Sequence, residues 1–383
     1  MFLSNKLAFR VSPNNSFSKL PLTMSIQPSL QYKAVKDLLG HNSRSVGAML
    51  GCFCGDALGA PVEGRTWQHI AEGRLQFGQM ECGCYTDDTQ MTIALAQSLV
   101  RMNMCNAADA TEAYVSAFDD TRGYGGSARA TLTALRHGST DYMSSGTWGF
   151  PEGSFANGGA MRIAPVGLAY RNADSKVLQQ AVADALLCTH VHPEGIEGAF
   201  MQAAAVAALS NTPTPDGASG TAGCGSPKGL LQHLKSLSQV PAMQDKLQVL
   251  SDALPDASQA EGSSLIDGSN WEGDADSKAW QYDCEVLGKA GVTGFQIRAM
   301  DAAVCALWAL CRHWHDPQAV IIAAVRGGGD ADTIAAMAGA LGGALHGTQW
   351  IPEQWFEKLE NGPAGRDAAV VLALQLASLD VKS

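Results

Sequence analysis

The feature that most constrains this chain lies after Asp332, where Ala335, Gly339 and Gly343 recur every four residues inside an apolar run. Positions four apart stack on one face of an α-helix. Three small residues in that register form a smooth ridge along which a second helix can approach closely. Ile334, Met337, Ala338, Leu341 and Leu345 give the same helix an apolar side. Composition points the same way, with 46% hydrophobic, 7% aromatic and 16% charged residues. That balance suits closely packed helices better than a sheet-rich fold, and the expected class is all-α.

Residues 45–58 are apolar or small except for Asp56, which predicts a buried helix that opens the fold. Met91, Ala94, Leu95, Ser98 and Leu99 share one helical face behind a polar cluster that starts the helix. Residues 111–118, 127–136, 177–187, 197–209, 298–313 and 317–325 read as further helices. The helix after Asp332 is expected to be the last strong one. Two polar stretches, 210–229 and 253–277, break the rhythm around a helical piece at 230–250. They read as surface insertions in one domain spanning 41–376, because the chemical motifs fall on both sides of them.

The first 36 residues hold no Asp or Glu but contain Lys6, Arg10, Lys19, Lys33 and Lys36 among several serines. Residues 1–40 are therefore expected to be a disordered extension or an organelle transit peptide. A chloroplast or mitochondrial address follows from the second reading, a cytoplasmic or nuclear one from the first. No apolar run reaches the roughly 20 residues of a bilayer span, and no membrane partner is expected. A net charge of -11 leaves no basic stripe to displace counterions from nucleic acid. An acidic protein that binds an anionic ligand must find local positive charge elsewhere, and metal ions can supply it. The ten cysteines include the pairs Cys52/Cys54 and Cys82/Cys84, whose spacing matches neither zinc ribbons nor thioredoxin motifs. They read mostly as small core residues.

Two acidic clusters, Thr86-Asp87-Asp88-Thr89 and Asp330-Ala331-Asp332-Thr333, each stand just before an apolar helix. Helix capping explains either one alone, since Asp and Thr accept hydrogen bonds from a first turn and suit its positive dipole end. Together they suggest more. Carboxylates 4 Å apart repel by roughly 4 kcal/mol per pair at an effective dielectric near 20, so a cation belongs between them. Oxygen donors without nearby Cys or paired His favour Mg²⁺ or Mn²⁺ over zinc. The glycine-rich segments Gly123-Tyr124-Gly125-Gly126-Ser127 and Gly153-Ser154 offer backbone N–H groups to an anionic group.

Five blocks in order, Gly55-Asp56-Ala57-Leu58-Gly59-Ala60-Pro61-Val62-Glu63, Tyr85-Thr86-Asp87-Asp88-Thr89-Gln90-Met91, Asn157-Gly158-Gly159-Ala160-Met161-Arg162, Thr189-His190, and Gly328-Gly329-Asp330-Ala331-Asp332-Thr333, resemble the ADP-ribosylglycohydrolase family. The resemblance implies a compact multi-helix domain around a dinuclear metal cleft. Thr86, Asp87, Asp88, Asp330, Asp332 and Thr333 would bind two divalent ions, with Asp332 as the bridge. The ions would hold the distal ribose hydroxyls and a water near the anomeric carbon. Glu63 matches an acid/base on the leaving group in one branch, and Asp330 is the candidate acceptor of the water's proton. Glu63 reads alternatively as a surface carboxylate after the turn at Pro61, and metal coordination would limit the base role of Asp330. Gly125, Gly126, Ser127, Gly153, Ser154, Phe155, Asn157 and His190 form the expected substrate-binding set, with Phe155 stacking on adenine and Phe150 or Trp148 as a second ring. Asp56, inside the first helix, reads as structural, and His192 as a loop residue.

The resemblance also implies that the partner is an ADP-ribosylated protein or ADP-ribose polymer and that the enzyme is a monomer. Arg122-Gly123-Tyr124-Gly125, Gly159-Ala160 and Ile334 resemble the branch acting on O-linked ADP-ribose. The block at 55–63 and Ala164-Pro165 look instead like bacterial arginine-directed relatives. A non-catalytic ADP-ribose-binding protein is a reading from another class. A metal amidohydrolase, suggested by His190-Val191-His192, lacks the rest of its ligand set.

Overall fold

A computed structural model describes residues 29–72, 80, 82–212, 224–255, 274–292, 296–379 and 381. Among them the chain is helical, without a β-strand. In order the helices are α1 (Tyr32–Lys36), α2 (Gly40–Gly59), α3 (Trp67–Glu72), α4 (Asp87–Met102), α5 (Ala107–Ala117), α6 (Gly126–Arg136), α7 (Ala164–Ala169), α8 (Ser175–Leu186) and α9 (Pro193–Asn211). They continue with α10 (Pro227–Leu237), α11 (Pro241–Ala253), α12 (Asp274–Lys289), α13 (Ala299–Arg312), α14 (Pro317–Arg326), α15 (Ala331–His346), α16 (Glu353–Lys358) and α17 (Arg366–Ser378). The all-α expectation holds.

The centre of the fold is the contact between α2 and α15. Gly47, Gly51, Gly55 and Gly59 lie along α2 against the small-residue ridge of α15, backbone to backbone. A Cβ at Gly51 would stand 2.1 Å from the carbonyl oxygen of Gly339, and one at Gly55 2.0 Å from that of Ala335. At the far end a Cβ on Gly59 would lie 2.4 Å from the Cα of Asp332. This approach fixes where α15 begins, and therefore where its acidic residues sit. Helices α13 and α14 cover α15, while α17 packs on α2 and α4. The segment Gly40–Val62 is the one described helix long and apolar enough to cross a membrane, but 83% of that window is buried inside the protein.

Several expectations need correction. The helical piece at 230–250 is two helices, α10 and α11, broken where the Ser238 hydroxyl donates to Glu197 and accepts from the Val240 N–H. Helix α12 begins inside the stretch assigned to a surface insertion. The helix after Asp332 is not the last: α17 follows it, and no side chain caps α17 to mark its start. The middle of each expected insertion, 213–223 and 256–273, lies outside the described residues, as do residues 1–28 of the N-terminal extension.

Candidate active site

Asp56 is fully buried near the end of α2 and holds the first acidic cluster in place. Its carboxylate accepts hydrogen bonds from the Thr86 N–H at 3.0 Å, the Thr86 hydroxyl at 2.8 Å and the Thr89 N–H at 3.1 Å. Thr86 in turn caps α4 by accepting from the Asp88 N–H. Arg122 braces the turn from outside. Its carbonyl accepts from the Asp87 N–H at 2.7 Å, and its guanidinium donates to the Tyr85 carbonyl and to both oxygens of Glu360. The same guanidinium lies over the Tyr85 ring, 4.0 Å from its centroid.

The second cluster opens α15 behind a turn at Gly328 and Gly329, whose φ values of +66° and +68° suit glycine. That turn also anchors the Glu63 segment: the Gly64 N–H donates to the Gly329 carbonyl and the Gly329 N–H to the Arg65 carbonyl, both at 2.9 Å. As a result Glu63, Asp330 and Asp332 each bring a carboxylate oxygen within 4.8 Å of the others. Asn157 donates from Nδ2 to Asp330 Oδ2 at 2.6 Å. The Thr333 hydroxyl reaches Asp88 Oδ2 at 3.4 Å and joins the two clusters. Asp88 Oδ1 is buried and has no hydrogen-bond partner.

Such crowding is costly for the charged forms. Burial, then the charge of Asp332, pushes the Asp88 carboxyl well above the usual carboxylate range. Burial followed by Asp330 does the same to Asp332, and burial followed by Asp56 to Asp87. Glu63 stands at the exposed rim, where partial burial and then Asp330 and Asp56 raise it as well. A buried carboxylate oxygen without a donor, among carboxylates raised by one another, fits a hard divalent cation. Capping accounts for Thr86 but not for Asp330, which stands before α15 without a capping hydrogen bond.

These acidic groups lie in a cleft of about 360 Å³, within the size range of small-molecule sites. His190 is buried in its wall, and burial followed by Arg162 lowers its pKa to about 3, so the imidazole is neutral. Arg162 donates to the Thr189 hydroxyl at 2.6 Å, and that hydroxyl lies 2.8 Å from His190 Nδ1 and 3.5 Å from the Leu186 carbonyl.

A sequence profile described as ADP-ribosylglycohydrolase matches residues 38–382. The chain belongs to the ADP-ribosylglycohydrolase family. It is similar to ADP-ribosylhydrolase ARH3 from Bos taurus, at 29% identity over 372 residues covering 89% of this chain and 94% of that protein. It is also similar to the ADP-ribosyl-[dinitrogen reductase] glycohydrolase of Rhodospirillum rubrum, at 33% identity over 165 residues, 40% of this chain and 53% of that protein. A solved ADP-ribosylglycohydrolase-related protein complex shares the fold, with a TM-score of 0.61 and 24% identity over 89% of this chain and 99% of the other. The chain is thus an enzyme that hydrolyses glycosidic bonds.

Most residues expected at the site of this ADP-ribosylglycohydrolase line the cleft. Gly125, Gly126 and Ser127 do so at the start of α6, with Ser154, Phe155, Asn157 and His190 opposite. Phe150 lines it and Trp148 does not. Two expected residues do not face the cleft. The Thr86 hydroxyl is engaged with Asp56 and Asp88. Gly153, at φ +83°, makes a turn so close to Val191 and His192 that a Cβ would stand 2.6 Å from the His192 N–H nitrogen. His192 is not an idle loop residue: it caps α9 and packs edge-on to Phe155.

Sequence reasoning missed Ile297 and Arg162. Ile297 reaches the cleft because 297–299 pairs with 155–157 across a distant part of the chain. In that pairing the Asn157 N–H donates to the Ile297 carbonyl at 2.7 Å and the Ala299 N–H to the Phe155 carbonyl at 3.0 Å. No local pattern signals such a contact. Arg162 was visible as part of a motif, but its buried position over the Tyr114 ring was not.

Proposed function

We propose that the chain is a divalent-metal-dependent hydrolase that removes ADP-ribose from O-linked acceptors, either modified serine or an ADP-ribose polymer. The observation that carries this reading is the meeting of Glu63, Asp330 and Asp332 oxygens within 4.8 Å, beside the unpartnered Asp88 Oδ1. Asp87, Asp88, Asp330, Asp332 and Thr333 form an all-oxygen set suited to two ions of the Mg²⁺ or Mn²⁺ kind, with Thr86 holding Asp88 in place from behind. When bound, such ions supply the positive charge that orients ribose hydroxyls and makes water a better nucleophile.

The protein groups supply the rest. Gly125, Gly126 and Ser127 bring the start of α6 to the cleft, where its free N–H groups suit the diphosphate, and Phe155 and Phe150 offer faces to adenine. Glu63 gives a proton to the departing oxygen, helped by a carboxyl that stays protonated to higher pH than usual. Asp330 takes a proton from the incoming water, its orientation held by Asn157. Neutral His190 lines the cleft and turns its ring to a substrate oxygen. Arg122-Gly123-Tyr124-Gly125, Gly159-Ala160 and Ile334 favour the O-linked acceptor, and relatives matching most of the chain bear the name ARH3.

Side-by-side hydrolysis of serine-linked and arginine-linked ADP-ribosyl peptides, with EDTA and with Mg²⁺ or Mn²⁺ restored, tests the reading. We expect the serine-linked substrate to lead by at least about tenfold in kcat/KM, with no turnover in EDTA. A reversed preference overturns the linkage, and full turnover in EDTA overturns the metal requirement.

A further inference from the structure

Six of the ten cysteines are buried, as small core residues should be, but Cys82 and Cys84 are exposed. Their Sγ atoms lie 2.7 Å apart. Two sulfurs that are not bonded do not normally pack so closely, and a disulfide needs only a further approach to about 2.05 Å. The residue between them explains the juxtaposition. Gly83 pairs with Leu359, its carbonyl accepts from the Glu360 N–H at 2.8 Å, and a Cβ there would stand 1.9 Å from the Lys358 carbonyl oxygen. With the middle residue pinned to the protein by its backbone, both flanking thiols are left at the surface and together.

We propose that Cys82 and Cys84 form a reversible dithiol–disulfide site that exchanges with low-molecular-weight disulfides. In the first step one cysteine thiolate attacks a sulfur of the small disulfide RSSR, forming a mixed disulfide and releasing RS⁻. The neighbouring thiolate then attacks the protein sulfur of that mixed disulfide, the Cys82–Cys84 bond forms and a second RS⁻ leaves. Two electrons pass from the pair to RSSR, which departs as two thiols, and the two cysteine protons balance their charge. Because the second sulfur is already in place, the second step is intramolecular and outruns a new encounter. The site does not depend on the substrate or metal proposed above. It lies where a change would be felt: Glu360, whose amide holds Gly83, also pairs with Arg122, the residue bracing Tyr85 and Asp87.

The full-length protein equilibrated in graded mixtures of reduced and oxidised glutathione, quenched by alkylation and cut with trypsin, tests this. Both cysteines fall on the single peptide from Leu75 to Arg101. As oxidised glutathione rises, that peptide should pass from doubly alkylated to unalkylated and two hydrogens lighter, and a dithiol reductant should reverse the change. Cys82→Ser and Cys84→Ser should each instead accumulate one glutathione on the remaining cysteine. Two alkyl groups persisting in excess oxidised glutathione, or one glutathione on each cysteine of the unsubstituted chain, would overturn the proposal. Thermal melts of the two variants confirm that the fold is unchanged.

Discussion

Asp56 grips Thr86 twice, accepting from its backbone N–H and from its hydroxyl, and through the Thr89 N–H it also holds the first turn of α4. A carboxylate buried at the end of one helix thus sets the position of the acidic cluster at the start of another. Asp56→Asn keeps the volume but turns an NH₂ toward groups that are themselves donors. We predict a loss of about 1–3 kcal/mol in stability and of at least about tenfold in turnover, because small misplacements of reacting groups are costly. Urea denaturation and peptide hydrolysis measure the two. Wild-type values in both would show that the turn holds itself.

The α2 and α15 interface makes an unusual demand on Gly51. Alanine is favoured over glycine in a helix by about 1 kcal/mol, yet here its Cβ would meet the Gly339 carbonyl at 2.1 Å. Overpacking of about 1–3 kcal/mol or more should win. Gly51→Ala is predicted to lower the melting temperature, while Gly288→Ala, with no atom within 4 Å of the added Cβ, should leave it equal or higher. Equal melting of all three proteins would mean that the helices separate freely.

The ridge on α15 was legible in the sequence because its spacing is local and regular. Its partner, Gly47, Gly51, Gly55 and Gly59, has the same spacing but lies in a segment whose apolar character drew the eye first. The two acidic clusters were legible because like charges beside each other demand an explanation. That they meet followed from the family resemblance and not from any local pattern, since it depends on how α2 packs against α15. The Arg122–Glu360 pair joins residues far apart in the chain and leaves no local trace, and the same is true of the pairing that brings Ile297 to the cleft.

Removing one carboxylate tests the cation site without reference to activity. Asp332 is buried beside Asp330, Glu63 and Asp56, so in metal-free protein its charge is a burden. Asp332→Asn is predicted to melt higher than wild type in EDTA and to gain less on adding Mg²⁺ or Mn²⁺. At a hundredfold excess over Kd, wild type should gain about 2.7 kcal/mol. Equal stabilisation of both proteins by metal would remove Asp332 from the ligand set.

The Arg122–Glu360 pair carries a pH dependence with a definite sign. Hydrogen bonds from Arg122 hold the Glu360 carboxyl below its usual range in the folded protein. A depressed folded pKa gives stability that is fully present above the unfolded value, about 4.3, and is lost as pH falls through the folded one. The pair is partly exposed, so Glu360→Gln should cost only about 1 kcal/mol at pH 7. That gap should be constant down to about pH 5 and narrow below about pH 4.3. Denaturation of both proteins across this range checks it, and a gap that widens in acid would refute the assignment.

Glu63 is predicted to matter for the chemical step more than for binding. Cleavage at an anomeric carbon passes through an oxocarbenium-like state in which the departing oxygen needs a proton. Among the three carboxylates that converge at the cleft, Asp330 and Asp332 are buried and Glu63 alone stands at the rim, where a leaving acceptor must exit. Its carboxyl is raised by partial burial and by Asp330 and Asp56, which keeps the proton available at higher pH than a free glutamate would. Positioned proton transfer is worth about 10²–10⁴ in rate. Glu63→Gln preserves size and hydrogen bonding but cannot give up a proton, so kcat on serine-linked ADP-ribose should fall at least about a hundredfold. Affinity for free ADP-ribose, which has no leaving acceptor, should change little. Single-turnover kinetics and calorimetry separate the two. Near-normal cleavage would take Glu63 out of the mechanism, and lost binding would make it part of the cation site instead.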